Sequence, residues 1–146
     1  MRVAVIGQGY VGLTISIGAV NAGHEVIGID LSESLVSSLT SGRSHIEGIA
    51  DSEIARALAS GRYRPSTDYS QIGGSDLVII AVPTPLNDDG QPDLKILESA
   101  AKLVGKSLKK KSLIVNESTS HPGTLRNLIR PIIEAESPLE LSLIHI

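Results

Sequence analysis

The chain has 146 residues, no cysteine and a net charge of −3 at neutral pH. This length suits one domain that buries roughly two thirds of its unfolded surface. The small negative charge, without a basic stripe, argues against nucleic acid as a partner. Disulfides and thiolate metal sites are excluded, and we expect no metal site because the four histidines are scattered without ligand spacing. No apolar run is long enough to span a membrane, so we expect a cytoplasmic protein without membrane contact.

The N-terminal segment carries the strongest pattern in the chain. A β-branched run at Arg2–Ile6 predicts a buried strand, and the turn Gly7-Gln8-Gly9 follows it directly. Residues Tyr10–Ala22 predict a helix that opens on this turn, and Glu25–Ile29 predicts a second strand. Asp30 then lies at the carboxyl end of that strand. This order is typical of dinucleotide-binding domains: a strand, the motif Gly-x-Gly-x-x-Gly, a helix, a second strand and an acidic residue.

Each position of this motif has a physical reason. Gly7 permits the tight turn, and Gly9 lets the backbone approach a pyrophosphate that the positive end of the helix attracts. Gly12 lets helix and strand pack closely. Asp30, eighteen residues after Gly12, can accept hydrogen bonds from two ribose hydroxyls. We expect NAD rather than NADP, because Asp30 repels a 2′-phosphate and no Arg or Lys lies between residues 25 and 40.

The rest of the chain alternates strands and helices. Buried or edge strands are predicted at Tyr63–Ser66, Asp76–Val82 and Ser112–Asn116, the first at an edge because it contains Pro65. Predicted helices, with their capping residues where one is evident, are Glu33–Thr40 after Ser32, Ser52–Ala59 after Asp51, Leu94–Leu108 after Asp93, and Gly123–Glu134, disturbed by Pro131. Lys109–Lys111 predicts a solvated loop. The order predicts an α/β fold, a Rossmann-type doubly wound parallel sheet with helices on both faces.

Two further loops follow predicted strands, where such a sheet binds its ligand. Val82-Pro83-Thr84-Pro85 leaves one strand with two prolines around a hydroxyl, which is also consistent with a rigid turn. Asn116-Glu117-Ser118-Thr119 leaves another and leads to Pro122-Gly123-Thr124, which is also consistent with an ordinary helix start.

These motifs together resemble the N-terminal domain of the UDP-glucose/GDP-mannose dehydrogenase family. The matching residues are Gly7-x-Gly9-Tyr10-Val11-Gly12, Val82-Pro83-Thr84-Pro85 and Glu117-Ser118-Thr119-x-x-Pro122-Gly123-Thr124. The segment Ser41-Gly42-Arg43-Ser44-His45-Ile46-Glu47 is also similar, and with the third motif it looks most like the branch that oxidises UDP-N-acetylhexosamines. The resemblance runs from Met1 to about Leu139.

The resemblance implies an NAD-dependent oxidoreductase. The full-length protein would oxidise the C6 hydroxymethyl of UDP-N-acetylglucosamine, UDP-N-acetylmannosamine or UDP-glucose to a carboxylate with two NAD. Thr119 would lie by the nicotinamide and the reacting carbon as a catalytic residue, and Thr84 would contact the cofactor near its pyrophosphate and ribose. The implied cofactor-binding residues are Gly7, Gly9, Tyr10, Val11, Gly12, Asp30, Val82, Pro83, Thr84 and Thr119.

Several family features are missing. The family's catalytic cysteine and lysine belong to a later substrate domain, so we expect this chain alone to be inactive. The resemblance also implies that the full-length protein is a homo-oligomer. The family often has Lys or Arg where this chain has Leu35. The family's domain continues into a sixth strand that residues 141–146 do not resemble. We therefore expect residues 1–140 to form an NAD-binding domain truncated before its last strand, and residues 141–146 to be a non-native tail.

Two alternatives stay open on the sequence alone. One is the NAD-binding domain of a 3-hydroxyacyl-CoA or 2-hydroxyacid dehydrogenase. Two features argue against it: Thr84 between its prolines, and the loop Glu117-Ser118-Thr119. The other is a non-catalytic NAD-sensing module, which would have no need for Thr119 beside the nicotinamide.

Overall fold

The structure is a computed structural model that describes residues 1–109 and 112–138. Its parallel strands are β1 (Arg2–Ile6), β2 (Glu25–Ile29), β3 (Tyr63–Ser66), β4 (Leu77–Ile80) and β5 (Leu113–Asn116). Its helices are α1 (Tyr10–Asn21), α2 (Glu33–Thr40), α3 (Asp51–Ala59), α4 (Lys95–Ser107) and α5 (Arg130–Glu136). The strand order β3-β2-β1-β4-β5 runs outward from β1 in both directions, which confirms the predicted doubly wound sheet.

Both faces of the sheet are covered by helices. On β1, the side chains of Val3 and Val5 pack with α1, α2 and α3, whereas Ala4 and Ile6 pack with α4 and α5. All four residues are at most 1 % exposed. This two-sided burial explains why β1 and β4 read as continuous apolar runs in the sequence.

Most predicted elements are confirmed, and the differences lie at their ends. Ser32 caps α2 as predicted, since its hydroxyl accepts a hydrogen bond from the Leu35 N–H at 3.3 Å. Asp51 is the first residue of α3 rather than its cap, and the side chain of Glu53 satisfies the Ala50 N–H at 3.0 Å. The helix α4 begins at Lys95, one residue later than predicted, so Asp93 is not its capping residue. The Asp93 side chain still accepts a hydrogen bond from the Lys95 N–H at 3.0 Å. The predicted strand 76–82 is shortened to β4, because the chain turns out of the sheet before Pro83.

The last predicted helix is divided at its proline. Residues Leu125–Ile129 form a wider π-helical turn, in which the Arg130 N–H donates to the Leu125 carbonyl five residues back, and α5 follows directly. Pro131 has no N–H to donate to the carbonyl four residues back, which explains the irregular turn before it.

Two predictions fall partly or wholly outside the described residues. The predicted loop at Lys109–Lys111 includes residues 110 and 111, and the predicted tail covers 141–146; neither set is described. Within the described residues, no helix has the length and apolar character needed to cross a membrane.

Candidate cofactor-binding site

The glycine loop between β1 and α1 lies at the carboxyl edge of the sheet, where β1 separates β2 from β4. Gly7 has φ +88°, and its N–H donates to the Ile29 carbonyl at 2.7 Å. A Cβ on Gly7 would lie 2.6 Å from the carbonyl oxygen of Ala81. Both the positive φ and this close approach require glycine, as the sequence predicts.

The other two glycines of the motif have different surroundings. A Cβ on Gly12 would collide with the Gly7 carbonyl oxygen and lie 3.5 Å from Val5 Cγ1, so Gly12 is needed for helix–strand packing. A Cβ on Gly9 would meet no protein atom within 4 Å, and its φ of −69° is open to any residue. The protein's own packing therefore gives no reason for glycine at position 9, whereas a ligand lying against this backbone would.

Asp30 faces the glycine loop from the end of β2. Its Oδ2 accepts from the Gln8 N–H at 2.8 Å, and its Oδ1 accepts from the Ser32 N–H at 2.9 Å. These bonds fix the half-buried carboxylate while each oxygen keeps a second lone-pair direction. Asp30 is thus oriented to accept hydrogen bonds from two adjacent hydroxyls.

Two adjacent cavities, the two lobes of one candidate site, lie beside the glycine loop. The larger lobe has a volume of about 560 Å³ and holds Asp30, whereas the smaller has about 270 Å³ and holds Thr119. The two lobes share Gly9, Val82 and Pro83. The shape fits an extended ligand that bends around Gly9, with a diphosphate at the N-terminus of α1, where Gly9 has no side chain to cap the helix.

The structure brings nine of the ten predicted site residues together at this cavity. The larger lobe includes Gly7, Gly9, Asp30, Val82 and Pro83, and the smaller includes Gly9, Tyr10, Val11, Val82, Pro83, Thr84 and Thr119. Gly12 lines neither lobe; it is buried below the loop, in the packing role that the motif predicts for it. Tyr10 is 68 % exposed, so it remains accessible to a ligand.

The loops after β4 and β5 are tied to each other beside the smaller lobe. The hydroxyl of Thr84 donates to the carbonyl oxygen of Thr119 at 2.7 Å. The Glu117 N–H donates to the Ile80 carbonyl at 2.8 Å, which extends the β4–β5 pairing into the second loop. These bonds hold the exposed Thr119 at the mouth of the lobe.

The sequence did not predict most of the outer wall of the larger lobe. This wall consists of Leu31, Leu35, His45, Tyr69, Lys95, Ile96, Ser99 and Ala100. Burial, followed by the negative charge of Asp30, raises the pKa of Tyr69 to about 12, so its hydroxyl stays neutral at physiological pH. His45 belongs to the segment 41–47 that supports the family resemblance, and Leu35 is the position where the family often has Lys or Arg; the other wall residues carry no motif. Among the described residues, no group of three or more His, Cys, Asp or Glu is placed to hold a metal ion.

The fold and this cavity define a dinucleotide-binding domain. Residues 1–145 match the model of the UDP-glucose/GDP-mannose dehydrogenase family, NAD binding domain. The chain therefore belongs to this family, and its cofactor is NAD.

Similar proteins are enzymes of nucleotide-sugar oxidation. The UDP-glucose 6-dehydrogenase AglM of Haloferax volcanii is 38 % identical over 140 residues, which are 94 % of this chain and 33 % of that protein. The UDP-N-acetyl-D-mannosamine dehydrogenase of Pyrococcus horikoshii is 35 % identical over 131 residues, 89 % of this chain and 31 % of that protein. A crystal structure of a ternary complex of Pseudomonas aeruginosa GDP-mannose dehydrogenase superposes with a TM-score of 0.91 at 32 % identity, over 96 % of this chain and 33 % of that one. The chain thus spans about a third of the length of these relatives.

Proposed function

We propose that this chain is the cofactor-binding part of a nucleotide-sugar 6-dehydrogenase, which oxidises the C6 hydroxymethyl of a UDP-sugar to a carboxylate with two NAD. The two-lobed cavity is the observation that carries the proposal. It presents a fixed carboxylate, Asp30, in one lobe and a hydroxyl, Thr119, in the other, on the two sides of Gly9. A dinucleotide needs a ribose acceptor at one end and contacts for its reacting ring at the other.

The positions of five predicted residues support a role for each of them. Asp30 accepts from the adenosine ribose hydroxyls, and the N-terminal turn of α1, with Tyr10 and Val11, contacts the pyrophosphate. Thr119 lies beside the nicotinamide, where its hydroxyl orients the reacting carbon or a water. Thr84 holds the Thr119 backbone in place through their 2.7 Å hydrogen bond. NAD, when bound, would supply the hydride acceptor, and the residues of this chain would bind and orient it.

The choice of a UDP-sugar rests on the motifs and not on overall similarity. The relatives named for UDP-glucose, UDP-N-acetyl-D-mannosamine and GDP-mannose have similar identities of 38, 35 and 36 % to this chain. We therefore propose that the sugar is selected mainly by parts of the protein beyond this domain. Within the family, residues 41–47 and 117–124 favour a UDP-N-acetylhexosamine. We also propose that the whole protein is a cytoplasmic homo-oligomer.

The chain alone is proposed to be inactive in sugar oxidation. It contains no cysteine, and the oxidation to a carboxylate in this family is expected to pass through a thiol adduct. Pure chain incubated with NAD and each of UDP-glucose, UDP-N-acetylglucosamine and UDP-N-acetylmannosamine should form no NADH. Sustained NADH formation would contradict this part of the proposal.

A chimera tests the proposed function directly. The matching 131-residue region of the Pyrococcus horikoshii relative is replaced by this chain's counterpart, and NADH formation is measured with UDP-N-acetyl-D-mannosamine. We expect NAD-dependent turnover that Thr119→Ala abolishes while NAD binding persists. Ser120→Ala, which removes a hydroxyl one residue away and outside the cavity lining, is the matched control and should remain active. A folded chimera that binds NAD but forms no NADH would refute the proposal.

A further inference from the structure

Gln8, between the first two glycines of the motif, is a residue for which the dinucleotide-binding pattern prescribes no side chain. In this structure its side chain turns away from the cavity and is completely buried. A buried amide must find partners for two donor hydrogens and two acceptor positions, or it destabilises the fold. The partners of Gln8 therefore show what the side chain does.

All of the hydrogen-bonding capacity of the Gln8 amide is used. Its Nε2 donates to the carbonyl oxygens of Val5 at 3.0 Å and Gly7 at 3.2 Å. Its Oε1 accepts from the hydroxyls of Tyr63 at 2.7 Å and Ser16 at 3.2 Å. The amide thus joins the end of β1 and the glycine loop to α1 and to the edge strand β3.

The surrounding residues leave space for this amide. A Cβ on Gly28, in the middle of β2, would lie 2.5 Å from Gln8 Oε1 and 3.0 Å from Tyr63 Cε2. Glycine weakens a strand interior, and it is used where another group must approach closely. Burial, followed by the charge of Asp30, raises the pKa of Tyr63, so its hydroxyl remains a donor to Gln8 over the whole physiological range.

The backbone of Gln8 acts on the opposite side of the loop. Its N–H donates to Asp30 Oδ2 at 2.8 Å. Gln8, whose side chain is anchored in the core, therefore also orients Asp30, the predicted ribose acceptor. Among the described hydrogen bonds, this backbone bond is the one that joins the Asp30 carboxylate to the glycine loop, since the other bond of that carboxylate goes to Ser32. A movement of the Gln8 side-chain amide would therefore displace both the glycine loop and the Asp30 carboxylate.

We propose that Gln8 is a positioning residue for NAD, and that Tyr63 on β3 couples the edge of the sheet through Gln8 to the glycine loop and Asp30. The proposal rests on the cofactor assignment and not on the identity of the sugar. It predicts that Tyr63, which lines neither lobe of the cavity, contributes to NAD affinity.

The test compares Tyr63→Phe, Gln8→Met and the double variant in this chain. Tyr63→Phe removes one hydroxyl and should raise the dissociation constant for NAD about three- to tenfold, the range of one lost buried hydrogen bond. Gln8→Met also loses the bonds to the loop carbonyls and should raise it more. The double variant should match Gln8→Met, because the Tyr63 hydroxyl acts only through that amide. ADP-ribose, which lacks the nicotinamide, should show the same factors.

Ile54→Val is the matched control, because Ile54 is fully buried in the same core cluster as Tyr63 but has no polar side-chain atom that could bond to Gln8. It should lower the melting temperature and leave the NAD dissociation constant unchanged. The ¹H–¹⁵N resonance of the Gln8 backbone amide reports the bond to Asp30; it should shift in Tyr63→Phe and not in Ile54→Val.

The outcomes separate this proposal from the cofactor assignment. If wild type binds NAD and folded Tyr63→Phe binds it equally well, Gln8 is only a packing residue and the proposal is wrong. If wild type fails to bind NAD, the cofactor assignment itself is overturned. Should Gln8→Met not fold, Tyr63→Phe still decides the result, since its loss is one hydroxyl.

Discussion

Replacing Asp30 with alanine removes the carboxylate on which the NAD assignment depends most. The change removes two charged acceptors from the larger lobe and leaves the N–H groups of Gln8 and Ser32 without their partners at 2.8 and 2.9 Å. Since Asp30 is half-buried at the cavity surface, water can reach these N–H groups in the variant. The main loss should therefore appear in ligand binding and less in the stability of the fold.

The size of the effect follows from the bonds that are lost. Hydrogen bonds to a charged group contribute about 1.5–3 kcal/mol each when buried, and the partial exposure of Asp30 reduces this. We expect Asp30→Ala to weaken NAD binding by about 1–3 kcal/mol, or roughly 5- to 150-fold in the dissociation constant. The wild-type chain should bind NADP much more weakly than NAD, because the carboxylate repels a 2′-phosphate. In Asp30→Ala this difference should shrink.

Calorimetric titration of both cofactors into wild type and Asp30→Ala measures these four affinities. Asp89→Ala makes the same change of charge at an exposed residue that lines neither lobe, and it should behave as wild type. Equal affinity of wild type for NAD and NADP would refute the reasoning, and so would an Asp30→Ala variant with unchanged NAD affinity.

Four further predictions follow from individual residues. Gly9→Ala should fold with an unchanged melting temperature but bind NAD more weakly in titration, because its Cβ meets only the space that the ligand would fill. Gly12→Ala should lower the melting temperature strongly, because its Cβ collides with the Gly7 carbonyl. Thr84→Val should release the Thr119 backbone, seen as faster amide exchange in residues 117–120, with no such change in Thr40→Val. Stability should fall between about pH 10 and pH 12, by at most about 1.4 kcal/mol per pH unit for Tyr69, because the unfolded tyrosine loses its proton before the folded one does. In Tyr69→Phe the free energy of unfolding should fall less steeply over this pH range. A pH dependence equal to that of wild type would show that Tyr69 is not its cause.

The sheet and the glycine loop were predictable because their constraints are local. Arg2–Ile6 is followed at once by Gly7, and the positive φ of Gly7 admits few residues other than glycine. Pro65 correctly placed β3 at the sheet edge, since a proline cannot donate in the centre of a sheet. The helix starts at Asp51 and Asp93 were each one residue off, because an acidic residue stabilises the first turn from more than one position.

The parts that were missed depend on contacts between distant segments. Gln8 meets Tyr63 across 55 residues of sequence, and nothing near either residue indicates the pairing. The only local signal was Gly28 in the middle of a strand, which indicates a close approach but not what approaches. The cavity wall at Tyr69 and Lys95 likewise forms only when α4 and the turn before β4 pack beside Asp30.

The orientation of NAD in the cavity, extended across the glycine loop, underlies all of these residue roles. A crystal structure of the chain with NAD tests it most directly. We expect both adenosine ribose hydroxyls within hydrogen-bond distance of Asp30, the pyrophosphate at the N–H groups of Tyr10 and Val11, and the nicotinamide beside Thr119. NAD bound elsewhere, or bound with its adenosine ribose away from Asp30, would contradict it.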